Sequence, residues 1–157
     1  MTKLAWIALT GLAATSPANA QRIERHPTNP PGPILSAVTV PPGAVTLYIS
    51  GQVPSAVAPG DYGDTKTQTA SVLGKMKAIL AARGMTLANV VKLNVYLVGD
   101  PKLGGKMDFA GMNAAYREAF GTADNPDLVT RTTVQVAALD NPAFLVEIDA
   151  VAAKLAR

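Results

Sequence analysis

Two side chains in the last third of the sequence are equipped for chemistry: Arg131, in Thr130-Arg131-Thr132-Thr133, and Glu147, in Val146-Glu147-Ile148-Asp149. A guanidinium offers a rigid fork of donors, and a carboxylate offers only acceptors and a base. Set among residues of modest polarity, the two read either as an anion site beside a base or as an ion pair. The residues alone favour the ion pair, with Glu147 the mate of Arg131. Both lie in segments that alternate with period two, 130–138 and 144–152, joined by a turn at Asp140-Asn141-Pro142. Alternation gives Thr132, Val134 and Val136 one side of the first strand, and Arg131, Thr133 and Gln135 the other. In the second strand Val146, Ile148 and Ala150 form an apolar row, while Glu147 and Asp149 sit opposite with Leu145 and Val151. The pattern predicts a hairpin with one core face and one face that carries Arg131 and Glu147 together.

Composition narrows what such a face can be for. Apolar residues make up 48% of the chain and charged residues 16%, which excludes disorder and fits one domain. The net charge of +3 comes without a Lys/Arg cluster or stripe, so no nucleic-acid partner is expected. Cysteine is absent, which removes disulfides, thiolate metal sites, cysteine nucleophiles and a lipobox anchor. The single histidine, His26, falls in a polar lead-in and gives no basis for a metal site. Met76, Met85, Met107 and Met112 read as apolar filler, Tyr116 as a packed helix residue, and Gly104-Gly105 as a loop lacking the context of a phosphate cradle.

The elements that must position the pair follow from the chain in order. Lys3, the apolar run Leu4 to Ala14 and Ala18-Asn19-Ala20 have the order of an export signal over 1–20, and the run is too short to span a bilayer. The expected mature protein is periplasmic or secreted and, once cleaved, has no membrane partner. Residues 21–33, with Pro27, Pro30, Pro31 and Pro33, read as an extended lead-in that opposes regular pairing. The domain proper is expected over 34–157. Leu35 to Val40 and Val45 to Ser50 read as a hairpin around Pro41-Pro42-Gly43-Ala44, closed by a glycine, Gly51, where backbone must pass close to something. A helix is predicted from Asp64 or Thr65 to about Arg83, with Ala70, Leu73, Met76, Lys77 and Leu80 as its stripe. A strand follows over 90–98, then a helix over 106–120 stopped by Gly121. The order hairpin, helix, strand, helix, hairpin predicts an α+β domain: a single mixed sheet with two helices packed on one face. Two helices leave the other face bare, and self-association is the expected cover.

Four segments, Ser50-Gly51-Gln52-Val53-Pro54, Asn113-Ala114-Ala115-Tyr116 with Phe120, Thr130-Arg131 and Val146 to Ala152, resemble in order and spacing the RidA/YjgF family of reactive-intermediate deaminases, over about 32–153. The resemblance implies a chorismate-mutase-like fold, a homotrimer with sites in the clefts between subunits, and hydrolysis of 2-imino acids and their 2-enamino tautomers to 2-keto acids and ammonia, with neither metal nor organic cofactor. It implies that Arg131 grips the substrate carboxylate and that Glu147 handles the attacking water. A planar fork suits a carboxylate, and a nearby carboxylate can deprotonate water and return the proton to the departing amine. Ser50, Gly51 and Asn113 match positions near the site or shaping it. Thr133 falls where many members carry cysteine, a position credited with backbone contacts to water or substrate. Gly32-Pro33-Ile34 departs from a common Gly-Pro-Tyr, and the turn between Arg131 and Glu147 is one residue longer than the common form. A second reading keeps the arginine without the chemistry: a non-catalytic trimer binding small carboxylates or another protein in the same cleft. The signal reading carries its own check, because mass spectrometry of the protein from its native host should find Gln21 as the first residue, and an intact Met1 recovered from the cytosol would refute export.

Overall fold

The structure, a computed structural model, describes residues 22–156, so the expected signal over 1–20 lies outside it. Its elements in order are β1 (Glu24–Pro27), β2 (Leu35–Thr39), β3 (Val45–Gln52), α1 (Thr65–Ala81), β4 (Val90–Val98), α2 (Phe109–Ala119), β5 (Thr130–Val136) and β6 (Val146–Lys154), with short 3-10 turns at Leu87–Asn89 and Pro101–Leu103. The main sheet is four-stranded and mixed, in the order β3-β6-β4-β5, and β1 and β2 form a small second sheet. The α+β class, the one main sheet and the helix count agree with the sequence reading.

Neither expected hairpin forms. β4 lies between β5 and β6, parallel to the first and antiparallel to the second. The reason is that α2 carries the chain back to the start of β4, so β5 enters beside it in the same direction, as in a β-α-β unit. β4 is also apolar enough to be flanked on both sides, with Val90, Val91, Leu93, Val95 and Leu97 all buried. At the other end β2 turns away from β3 and pairs with β1, while β3 pairs with β6. The lead-in therefore contains a strand, which the prolines permit because only Pro27 falls inside it, at its end. Arg25 fixes that strand to the domain. Its Nη1 and Nη2 donate to the carbonyls of Leu128 (2.6 Å), Val90 (3.1 Å) and Ala88 (2.6 Å), and its Nε pairs with Asp127 at 3.3 Å.

Both helices begin on a capping aspartate. Asp64 accepts from the Thr67 amide and Asp108 from the Gly111 amide, each at 2.8 Å, satisfying donors that a first turn leaves bare. Gly84 (φ 64°) and Gly121 (φ 71°) take the left-handed conformation just beyond the two helices. The core lies between the helices and one sheet face, and includes Leu93, Val95, Leu97, Val146, Ile148 and Ala150 beneath Leu73, Met76, Leu80, Met112 and Phe120. Full burial of each large apolar side chain contributes about 1.5–3 kcal/mol. The face α1 buries differs from the expected stripe: Ala70 and Lys77 are exposed, and Gln68 and Thr69 are buried.

Gln68 explains why a polar residue sits there. Its amide donates to the carbonyls of Gly63 (3.1 Å) and Ala143 (3.0 Å) and accepts from the Leu145 amide (2.7 Å), tying α1 to the backbone that leads into β6. Gln68→Leu would leave three backbone groups without their partner, at about 1–3 kcal/mol for each one that water cannot reach. The expected result is a melting temperature lower by roughly 10 °C, measured by calorimetry, and a drop of only a degree or two would show that water replaces the amide.

Candidate functional site

The pairing register decides where the chemical side chains go. Arg131 lies beside Leu93, Thr133 beside Val95 and Gln135 beside Leu97. Those neighbours point into the core, so Arg131, Thr133 and Gln135 share the helix-covered side of the sheet. The Arg131 guanidinium carbon lies over the ring of Tyr116, 4.4 Å from its centroid, and 5.7 Å from that of Phe109. Its Nε and Nη1 are buried without a hydrogen-bond partner, and so is the Thr133 hydroxyl oxygen. Burial draws the pKa of Arg131 down; Tyr116 opposes that shift and the like charge of Arg117 adds to it. A guanidinium nevertheless stays charged in proteins, so this is a cation with two nitrogens shielded from water and, among the described residues, no counter-ion, and its free in-plane donors suit a planar anion. Gln135 serves the site indirectly: its amide accepts from Met107 N and donates to Gly105 O, both at 3.0 Å, holding the loop that leads to Phe109.

Glu147 lies beside Tyr96 in β4, one residue from core-facing Val95 and Leu97 on either side, and therefore on the opposite side of the sheet. It lines a shallow pocket of about 300 Å³ with Gly51, Tyr96, Val136 and Asp149. Next to it Asp149 accepts from Asn94 Nδ2 (2.8 Å) and from the Tyr96 hydroxyl (3.1 Å), which raises the pKa of that phenol. Gly51 sits at an irregularity between Ile49 and Gln52, and a Cβ there would collide with the Glu147 carboxylate. The close approach expected of Gly51 is thus to the glutamate itself.

The expectation that Arg131 and Glu147 share one uncovered face is therefore corrected. Within the chain they stand on opposite faces, and among the described residues Arg131 takes part in no ion pair. The hairpin premise caused the error, because it gave the two strands a common phase that β4 denies them. Ser50 is exposed on β3 beside Gly51, and Asn113 lines a cleft of about 810 Å³ with Phe109 and Arg117. Thr133 accompanies Arg131. Ile34, at the position of the common tyrosine, packs against the core. Sequence reasoning missed the contact of Tyr116 and Phe109 with Arg131; the available signal was their spacing of seven on one helix, two turns of a single stripe.

The family model described as Endoribonuclease L-PSP matches residues 34–154. The chain belongs to this family, RidA/YjgF. A RutC family protein of Pyrococcus horikoshii is 40% identical over 110 residues, 69% of this chain and 79% of its own. The 2-iminobutanoate/2-iminopropanoate deaminase of Escherichia coli K12 is 35% identical over 109 residues, again 69% and 79%. Among solved structures, the Rid family protein YyfB of Yersinia pestis, a protein of unknown function, matches with a TM-score of 0.64 at 29% identity, over 85% of this chain and 98% of its own.

In this RidA/YjgF member the contact between Gly51 and Glu147 can be tested without any substrate. The atoms that a Cβ would meet belong to the end of a flexible side chain, so Gly51→Ala should displace the carboxylate and leave the fold intact. Gly51→Ala is expected to destabilise the wild-type background by about 1 kcal/mol more than the Glu147→Ala background, a coupling in the usual range for touching residues. Denaturant melts of the four proteins give that number, and strict additivity would show that the two residues do not meet.

Proposed function

We propose that the protein hydrolyses 2-imino acids and their 2-enamino tautomers to 2-keto acids and ammonia, in clefts between the subunits of a homotrimer. The observation that carries this reading is the guanidinium of Arg131, whose Nε and Nη1 are buried without a hydrogen-bond partner. A carboxylate docked in the guanidinium plane takes two parallel bonds from one edge of the fork, which a lysine ammonium could not offer with the same geometry. The adjacent C=N carbon is then fixed in position. Glu147 takes a proton from water as its oxygen attacks that carbon of the protonated imine, giving a neutral tetrahedral carbinolamine. The same carboxyl returns the proton to nitrogen, the C–N bond breaks to release ammonia, and the hydroxyl gives its proton back to the Glu147 carboxylate as the carbonyl forms. No electron transfer is involved.

The opposite-face placement of Arg131 and Glu147 supports a shared site, because only the bare sheet face of one protomer meeting the β5 side of another brings them to one substrate. That bare face carries Tyr48, 78% exposed, and Val134, 41% exposed, apolar surface that association would cover. The relative named as an imine deaminase supports the reaction class. RNA cleavage, the activity in the family model's description, finds less support: His26, the one histidine, is bonded to Thr39 at 3.0 Å on the small sheet, and no basic stripe accompanies it. The reading also places the mature protein outside the cytoplasm, with its imine supplied there.

Arg131→Lys should lower turnover about ten- to a hundredfold, the worth of the lost charge-assisted fork. Glu147→Gln should lower it about a hundred- to ten-thousandfold while binding of a keto acid persists. The sharper test mixes the two impaired variants, denatures them together and refolds them. If each cleft takes Arg131 from one protomer and Glu147 from its neighbour, random assembly restores about a quarter of the clefts, whereas a site within one protomer restores none. Ammonia release from freshly generated imine measures the recovery. Keto-acid binding by the wild type without any turnover would instead favour the non-catalytic carboxylate-binding trimer.

A further inference from the structure

An arginine that must hold a ligand by its edge needs something else to hold it. The usual means, a carboxylate mate or a carbonyl acceptor, would occupy the donors that the ligand requires. Arg131 has neither on its buried Nε and Nη1. What it has is aromatic surface: the Tyr116 ring at 4.4 Å from the guanidinium carbon, and Phe109 farther off at 5.7 Å. A ring face attracts the cation without taking an N–H in the guanidinium plane.

Tyr116 is itself immobilised from two sides. It is 2% exposed, its ring stacks on Phe120 with centroids 5.0 Å apart and planes 22° from parallel, and its hydroxyl donates to the Pro33 carbonyl at 3.0 Å. Phe109 is 43% exposed and stands at the first position of α2, so it flanks the guanidinium without a comparable anchor. We propose that Tyr116 is a positioning residue for Arg131: its buried ring is the platform that fixes the guanidinium while leaving its in-plane donors, Nε and Nη1 among them, free for a carboxylate. This rests on Arg131 being the carboxylate holder. The ring acts on the arginine and touches no reacting atom. The hydroxyl has a separate task, joining α2 to the segment that enters β2.

Ring and hydroxyl separate by substitution. Tyr116→Phe keeps the platform and loses the bond to Pro33; Tyr116→Leu removes the ring, and Tyr116→Met is a second ring-free variant should the first not fold. The Arg131 Nε–H resonance, assigned by its loss in Arg131→Lys, is expected to be shifted upfield by the ring current in the wild type and in Tyr116→Phe, and to lose that shift in the ring-free variants. Calorimetric titration with pyruvate should show affinity falling about tenfold in the ring-free variants and holding within about twofold in Tyr116→Phe, although the latter melts at a lower temperature. A merely structural tyrosine would lower the melting temperature in every variant and spare the affinity of whatever folds. An Nε–H resonance indifferent to the ring, or an affinity lost equally in Tyr116→Phe, overturns the proposal. A ring-dependent resonance in a wild type that neither binds pyruvate nor hydrolyses an imine overturns the carboxylate reading and leaves the ring's hold on Arg131 standing.

Discussion

The pleat of β4 determines where each functional group ends up. It is the strand paired to both β5 and β6, so its alternation is imposed on both neighbours. Leu93 faces the core and brings Arg131 with it; Tyr96, three residues on, faces the other way and brings Glu147. Shifting either neighbour by one residue would exchange its faces and put apolar residues in water, so the packing that stabilises the sheet also fixes the separation of arginine from glutamate. The separation follows from core burial and needs no special device.

Each face is chemically incomplete in its own way. The helix side offers donors without acceptors: the Arg131 edge, backed by aromatic rings. The bare side offers acceptors: the Glu147 carboxylate, with Asp149 beside it engaged by Asn94 and Tyr96. The proposed function joins these two halves: a substrate with an anionic end and an electrophilic carbon next to it would span them, with a second copy of the chain supplying one half. The local devices agree with this division, since Gln135 and Gly51 each serve one half alone.

Elements dominated by local signals were legible in the sequence. The strand over 90–98, the cap at Asp64 and the stopping glycines each depend on a few neighbouring residues, and the structure has them within a residue or three. Gly51 was legible as a close approach, though not what it approaches. Pairing was not legible. Whether segment 130–138 folds back on 144–152 or lies across β4 depends on α2 returning the chain to the start of β4, a tertiary fact that alternation cannot express. The faces of Arg131 and Glu147 were misassigned for that reason alone. Gln68 was missed because a buried glutamine that substitutes for missing backbone partners has no periodic signature, and Tyr116 because its apolar packing is indistinguishable in sequence from its service to an arginine.

The order of the strands has a consequence for how the chain acquires its structure. β6 lies between β3 and β4 yet follows both in the chain, so neither can complete its pairing until residues 146–154 have been made. Until then the nascent chain carries two apolar strands with open edges and helices with half a core to cover. Such a topology folds late and all at once rather than progressively, and the interval before β6 arrives is when the chain is most exposed to chaperones, proteases and its own copies.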